Sequence, residues 1–322
     1  MKKFLIVSGL ILSSILAPVR AIAATFSQIV VYGDSLSDLG RAAAATSNLP
    51  AQFKFPAYGS GGGRFSNGPI WVQYLAAQLG ITSNPNTNFA IGGATTGTAN
   101  IGQALSPSFI GIQQQVANNS VSDPAALYVL WGGSNDYIFA TPTNPPNPSV
   151  TLANLTGEIN TLISRGATNI LVPNLPNLGS LPATDEDLAT SVGLNALTQV
   201  HNTNLEVIIN TLGQSNPGVK LTLLDVNTLF NQAVSLGFTD VTNPCITSPT
   251  CTPDTYLFWD DIHPTTAVHQ RIGNLAFQVV SPTSVPEPIT MWGSLAAASS
   301  AIAFKRKLKS SSLKAKELIK NI

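Results

Sequence analysis

Charged residues are scarce in this chain of 322 residues, where Asp, Glu, Lys and Arg together make up 10%, against about a quarter in an average protein. Ten of the sixteen basic residues lie before position 25 or after position 284. The segment 25–284 keeps six basic and fourteen acidic residues, a net charge of −8. Because nucleic-acid binding needs a basic face that this segment lacks, we expect no nucleic-acid partner.

Cysteine and histidine are also rare. Cys245 and Cys251 are the only two cysteines, in a Pro- and Thr-rich loop. The three histidines, His201, His263 and His269, do not stand at zinc-ligand spacing from this pair. The sequence therefore predicts no metal site, and we expect no organic cofactor either.

Long hydrophobic runs are absent from the middle of the chain and occur only near its ends. Residues 1–24 begin with Lys2 and Lys3, continue through the apolar run 4–17 and close on the small-x-small tripeptide 21–23. This order predicts a secretory signal cleaved by signal peptidase. An N-terminal membrane anchor is the alternative, although the run is shorter than the about 20 residues that span a bilayer.

The other end, residues 285–322, carries Pro286-Glu287-Pro288, the apolar run 289–304 and a basic cluster at 305–309. An apolar helix followed by cations stops translocation and leaves the cations in the cytoplasm. In this order the three features resemble the PEP-CTERM sorting signal of bacterial exported proteins, which implies processing by an exosortase-type transpeptidase. A plain C-terminal anchor is the alternative.

Both ends predict an exported protein that is periplasmic, cell-surface or extracellular, held for a time in the inner membrane by the C-terminal helix. An even pair of cysteines in an exported chain indicates a disulfide between Cys245 and Cys251, with two free thiols as the alternative.

The segment 25–284 alternates short apolar runs with longer amphipathic stretches and predicts one domain. The expected strands are 28–32, 88–91, 126–131, 169–172 and 220–224, and the expected helices are 69–79, 109–118, 152–165, 187–212, 226–236 and 265–280. Short strands without polar alternation are typical of a parallel sheet buried on both faces. We therefore predict a flavodoxin-like three-layer α/β/α sandwich with a mainly parallel, five-stranded sheet.

Two Gly- or Pro-rich loops, 57–64 and 141–148, are interpreted as cleft walls, with surface linkers as the alternative.

Residues suited to a catalytic site follow three of the predicted strands. Ser35 comes after the first strand, a glycine pair at Gly92 after the second, and Asn135 after the third. Ligands of parallel sheets bind at the carboxyl ends of the strands, which favours Ser35 as a nucleophile. By itself a serine after a strand is more often a helix N-cap.

Near the C-terminal end, Asp260 stands three residues before His263. This spacing can bring the carboxylate to the imidazole Nδ1 and leave Nε2 free to take a proton from a serine. Asp261 is the alternative partner of His263. Asn135 could donate its side-chain amide to an oxyanion, and Gly92 allows a close approach of its backbone N–H.

Four segments resemble the motif blocks of the GDSL or SGNH hydrolase family, in family order: Gly-Asp-Ser-Leu-Ser-Asp at 33–38, Asn-Phe-Ala-Ile-Gly-Gly-Ala at 88–94, Gly-Ser-Asn-Asp at 133–136 and Asp-Asp-Ile-His at 260–263. Residues 63–69 are similar to the lipase and esterase branch. The resemblance implies an ester hydrolase with Ser35 as nucleophile, His263 as base and Asp260 as its orienting carboxylate. It also implies an oxyanion hole formed by Ser35, Gly92 and Asn135. Arg41 stands where the family often has Asn, and we expect it to alter the cleft rim.

The α/β-hydrolase fold is not expected, because neither Ser35 nor Ser134 lies in Gly-x-Ser-x-Gly. Structural roles are predicted for His201 and His269 inside helices, for Asp34 and Asp38 in the turn around Ser35, and for the acidic run 185–187 at a helix N-terminus.

The sequence thus predicts an exported serine esterase or lipase whose substrate is an acyl ester, a lipid or an acylated polysaccharide. The alternatives are an acyltransferase or polysaccharide deacetylase using the same site, or a non-catalytic matrix or surface-binding protein.

Overall fold

The computed structural model describes residues 26–56, 61–141 and 145–281. The predicted signal peptide, the predicted sorting tail and its apolar run 289–304 lie outside the described residues. In the described part, no helix is both long and apolar enough to cross a membrane.

A parallel sheet forms the centre of the fold. Its four strands lie in the order β1 (Ile29–Gly33), β2 (Leu127–Trp131), β3 (Asn169–Pro173) and β4 (Lys220–Leu224). The helices of the described residues are α1 (Arg41–Ala45), α2 (Trp71–Leu79), α3 (Ile112–Asn118), α4 (Ser134–Ile138), α5 (Pro148–Ser164), α6 (Pro182–Asp185), α7 (Leu188–Ser215), α8 (Val226–Asn231) and α9 (Thr266–Val280).

Helices cover both faces of this sheet. On β1, Ile29 and Val31 join a buried cluster with apolar residues of α2 and α9. Their neighbours Val30 and Tyr32 point the other way and pack with residues of α3 and α5. This alternation places a core on each side of the sheet, and the predicted three-layer α/β/α fold is confirmed.

The predicted five-stranded sheet is wrong in its strand count. The segment 88–91 runs along the outer edge of β1, where the Phe89 N–H donates to the Val31 carbonyl at 2.7 Å and Asn88 forms a single parallel bridge to Val31. The Ile91 N–H also donates to the Gly33 carbonyl at 3.2 Å, but the regular pairing stops there, because the Gly33 N–H donates to Gln115 Oε1 at 2.9 Å instead of to this segment. A side-chain acceptor from α3 thus replaces the backbone partner that a fifth strand would supply.

A second, two-stranded parallel sheet was not predicted. It pairs β5 (Asp240–Pro244) with β6 (Tyr256–Phe258). Cys245 follows β5, and a disulfide joins it to Cys251 with the Cα atoms 5.2 Å apart, within the usual range for such bridges. The Ile246 N–H donates to the Trp259 carbonyl at 2.9 Å. The bridged loop therefore supports the chain just before Asp260.

Candidate active site

Ser35 lies in the turn that follows β1, at the carboxyl end of the sheet. The turn is closed by the Asp34 side chain, which accepts the Leu36 N–H at 3.0 Å, and by the Asp34 carbonyl, which accepts the Ser37 N–H at 3.1 Å. Helix α1 begins only at Arg41. Ser35 is therefore not its N-cap, and the Ser35 side chain can make other contacts.

The hydroxyl of Ser35 contacts the imidazole of His263. Ser35 Oγ and His263 Nε2 are 2.8 Å apart, and His263 Nδ1 lies 2.8 Å from Asp260 Oδ2. All three side chains are largely buried, with Ser35 8% and His263 6% exposed. A carboxylate on Nδ1 fixes the tautomer whose Nε2 can accept a proton. This is the arrangement required for nucleophilic catalysis by a serine.

Asp260 is held in its ionised form. Burial alone would raise the pKa of this carboxyl, but the His263 ring and the N–H groups of Ile262 and His263 outweigh that effect and hold the pKa at about 2. Asp261, the alternative partner, is exposed, and its backbone carbonyl accepts the Ala183 N–H. The structure therefore places Asp260 beside His263.

Asn135 lies at the start of α4, directly after β2. Its Nδ2 donates to the Ala94 carbonyl at 2.8 Å, so one N–H of the amide is used structurally and the second is left for a ligand. Asn135 and Ser35 line the same cavity together with His263. The predicted oxyanion donor is thus within the site.

Gly92 does not present its N–H in the way predicted. This N–H donates to Asp38 Oδ2 at 2.9 Å, and Phe65 packs against the glycine so closely that a Cβ would lie 2.3 Å from its ring. The next residue, Gly93, has φ 79°, and no acceptor contacts its N–H among the described residues. Gly93 is therefore the better donor on this turn, and sequence reasoning missed it because both glycines fit the motif equally.

Asp38 organises the loops around Ser35. Its buried carboxylate accepts four backbone N–H groups, those of Gly40, Arg41, Ala42 and Gly92, at 2.6–3.0 Å. Burial raises the pKa of Asp38, although these N–H groups oppose the rise. Asp38 therefore ties the nucleophile turn to the glycine turn, which agrees with the bracing role predicted for it.

Asp34 is fully buried beside the site. Burial raises its pKa to about 7, against the opposing effects of the Leu36 N–H and of His263.

At the start of α7, Asp187 of the acidic run accepts the Thr190 N–H at 2.8 Å, as predicted for a helix N-terminus.

A segment around Phe65 contacts the loop that carries His263. The Phe65 and His263 rings lie 5.0 Å apart. The Ser66 hydroxyl donates to the Pro264 carbonyl at 3.0 Å, and Asn67 Oδ1 accepts the Thr266 N–H at 2.8 Å. These positioning contacts explain the motif at 63–69, whose role the sequence did not reveal.

Arg41 does not lie at the cleft rim as expected. Its guanidinium donates to the Asn88 and Pro85 carbonyls and lies 5.4 Å from the Phe89 ring centroid. It braces the segment preceding the glycine turn.

The other two histidines are structural, as predicted. His201 on α7 bonds through Nδ1 to the Tyr137 hydroxyl at 2.8 Å, and His269 on α9 is fully buried. Burial lowers the pKa of His201 to about 4, and burial together with nearby His263 lowers that of His269 to about 3. Among the described residues, no group of three His, Cys, Asp or Glu side chains is placed to hold a metal ion.

Of the two predicted cleft loops, the second lines a cavity with its described residues. Gly63 of the first loop packs on Ala43 of α1. Pro145 and Asn147 of the second line a groove beside Asn135. The cavity around Ser35 itself is walled mainly by apolar side chains, including Leu36, Leu181 and Phe230.

The sequence is similar to a known protein family over most of its length. The family model for GDSL-like lipase/acylhydrolase matches residues 29–276, and the chain belongs to this family. The match spans β1 to α9 and so includes every residue of the site.

Curated relatives are similar along most of their length. A phosphatidylcholine-sterol acyltransferase from Aeromonas hydrophila is 26% identical over 78% of this chain and 89% of its own. A GDSL esterase/lipase from Arabidopsis thaliana is 27% identical over 83% of this chain and 85% of its own. Among solved structures, an acetyl xylan esterase from Geobacillus stearothermophilus matches with a TM-score of 0.45 at 15% identity, covering 79% of this chain and 94% of that one.

Proposed function

We propose that this chain is a serine ester hydrolase that cleaves carboxylic esters through an acyl-enzyme intermediate. The observation that carries the proposal is the continuous contact from Asp260 through His263 to Ser35, with 2.8 Å at each step. Ser-His-Asp arrangements of this kind catalyse acyl transfer on several unrelated folds.

In the first half of the reaction, Ser35 Oγ attacks the ester carbonyl while His263 Nε2 takes the hydroxyl proton. His263 returns that proton to the departing alcohol oxygen, and the acyl group stays on Ser35. In the second half, His263 takes a proton from water as the water oxygen adds to the acyl carbonyl. His263 then returns this proton to Ser35 Oγ as the acyl–Ser35 bond breaks, which releases the acid and restores the free enzyme.

The tetrahedral intermediate carries a negative oxygen that needs hydrogen-bond donors. We assign this role to the Ser35 N–H, the free N–H of the Asn135 side chain and the Gly93 N–H. The Ala94 carbonyl binds Asn135 and directly follows Gly93 in the chain, so the last two donors belong to one connected turn.

Acyl transfer to an alcohol instead of water is the second candidate, and the similarity to the Aeromonas acyltransferase supports it. Steady-state turnover of p-nitrophenyl acetate by the full chain tests the esterase proposal. Adding an alcohol acceptor and separating acid from new ester then measures the share of transfer. Absence of turnover together with no labelling of Ser35 by a fluorophosphonate would favour the non-catalytic alternative.

We further propose that the protein is exported and that the tail from residue 285 is a sorting signal. The Cys245–Cys251 disulfide supports export, because such bridges persist in oxidising compartments. Mass spectrometry of both termini in protein from the native host tests the two cleavages. A chain starting at Met1 and ending at Ile322 would contradict both.

A further inference from the structure

A groove opens beside the catalytic cavity, and the two share Asn135 as a wall. The groove has a volume of about 560 Å³, inside the range of roughly 300–1,000 Å³ typical of ligand sites. The cavity around Ser35 is much smaller, about 30 Å³. A substrate with a bulky alcohol part therefore needs a neighbouring groove for it, and the groove at Asn135 is larger than another of about 380 Å³ that meets the cavity at Phe230.

The walls of the groove are mixed in character. Phe139, Ile101 and Val150 line it and are 41%, 41% and 55% exposed, which is unusual for large apolar side chains. Polar groups stand between them, among them Thr98 and the half-buried Asn154. The Asn154 amide donates to the Thr96 hydroxyl at 3.1 Å and keeps a second N–H and its oxygen for other partners.

The charged residues that line the groove restrict which ligands it can bind. No Lys or Arg lines the groove, and its one carboxylate, Asp136, already accepts the N–H and hydroxyl of Thr96. A phosphate group would find no cation to pair with there. An uncharged ligand with many hydroxyls and apolar ring faces fits these walls, because it can hydrogen-bond to amides and hydroxyls while it packs on Phe139.

We infer that the groove binds the alcohol part of the substrate and that this part is a carbohydrate, esterified with a short acyl group such as acetyl. The inference rests on the proposed esterase function and specifies its substrate class. The apolar cavity at Ser35 receives the acyl group, and the sugar extends past Asn135 along Phe139 and Val150.

The test compares kcat/KM of the full chain on an acetylated xylo-oligosaccharide with kcat/KM on p-nitrophenyl acetate, whose alcohol part is too small to fill the groove. Phe139→Ala should lower the ratio of these two values at least tenfold, mainly through KM for the sugar ester. Val150→Trp should lower the ratio as well, by filling the groove from an exposed helix position. Phe53→Ala is the matched control, since Phe53 is 45% exposed and lies outside the groove, and it should leave the ratio unchanged.

Three results would overturn the inference: an unchanged ratio in both groove variants, turnover of p-nitrophenyl acetate without any of the sugar ester, or faster turnover of phosphatidylcholine vesicles or long-chain p-nitrophenyl esters than of the sugar ester. A wild-type protein that turns over none of the esters would instead refute the proposed function itself.

Discussion

The Nε2 atom of His263 lies 2.8 Å from the Oγ atom of Ser35, across a sequence separation of 228 residues. Ser35 is placed by β1, whereas His263 is placed by the loop before α9. That loop is fixed from two sides, by the bridged segment after β5 and by the contacts of Ser66 and Asn67. The contact therefore depends on the whole domain being folded.

Replacing the nucleophile tests this contact directly. Ser35→Ala should fold normally and lose esterase activity by a factor of about 10³ or more, because only binding and oxyanion stabilisation remain. A fluorophosphonate should label the wild type at Ser35, and mass spectrometry of the labelled peptide gives the position. Ser134→Ala, a change at another serine of the same cavity, should leave that labelling intact. A label on Ser134, with Ser35→Ala still active, would contradict the assignment.

The two neighbouring aspartates provide an internal comparison. Asp260→Asn removes the carboxylate that fixes the His263 tautomer and should lower kcat by about 10³ to 10⁴. Asp261→Asn changes an exposed carboxylate and should alter kcat by less than about twofold. Steady-state kinetics of both variants on one ester measure these kcat values. A larger loss of kcat in Asp261→Asn than in Asp260→Asn would transfer the orienting role to Asp261.

The sequence predicted the layers of the fold and the contact of Ser35, His263 and Asp260, because both depend on local signals. Buried strands are visible as apolar runs, and Ser35, Asp260 and His263 stand in short motifs. What the sequence left open is set by tertiary contacts. The choice between Gly92 and Gly93 depends on which N–H reaches the Asp38 carboxylate, and no local pattern encodes that.

The second small sheet and the role of Arg41 were missed for a related reason. Strand β5 is only partly buried, so it lacks the apolar run that indicates a core strand. The place of Arg41 in a motif predicts a position at the cleft rim, but its guanidinium donates to the Asn88 carbonyl, 47 positions away in the sequence. Long-range partners of this kind are visible only in the folded chain.

The oxyanion role proposed for Asn135 predicts its own kinetic signature. Asn135→Ala should lower kcat by about 10² to 10³ with little change in KM, because the donor acts mainly in the transition state. Labelling of Ser35 by the fluorophosphonate should still occur, though more slowly. An unchanged kcat with a raised KM would show instead that Asn135 binds the ground-state substrate.

Asp38 should matter for stability as well as for the site. Asp38→Asn turns an acceptor of four N–H groups into a side chain that can accept through one oxygen only, and its NH₂ would face donors. We expect the free energy of unfolding to fall by about 1–3 kcal/mol. Asp187→Asn is the control, because Asp187 is an exposed carboxylate that also accepts a backbone N–H, that of Thr190, and asparagine caps a helix about as well as aspartate. This change should leave stability nearly unaltered. Urea unfolding measures the free energy of unfolding of both variants, and an equal decrease in the two would contradict the special role of Asp38.

The buried histidines should lower the stability of the fold in acid, against an opposite contribution from Asp34, whose raised pKa favours the folded state as the pH falls. The imidazoles of His201 and His269 are neutral when folded, because burial lowers their pKa values to about 4 and about 3 from 6.5. The unfolded chain therefore binds protons on both rings near pH 6.5 while the folded chain does not. Their contribution to stability is present above that pH and is lost as the pH falls towards 4, by on the order of 3 kcal/mol for His201. Urea unfolding of the wild type and of His201→Gln at several pH values between about 4.5 and 7 measures the part due to this ring. The variant should lose less stability on acidification than the wild type does, whatever its stability at neutral pH. A variant with the wild-type slope would mean that the His201 ring is already protonated in the folded protein or that it does not titrate differently on unfolding.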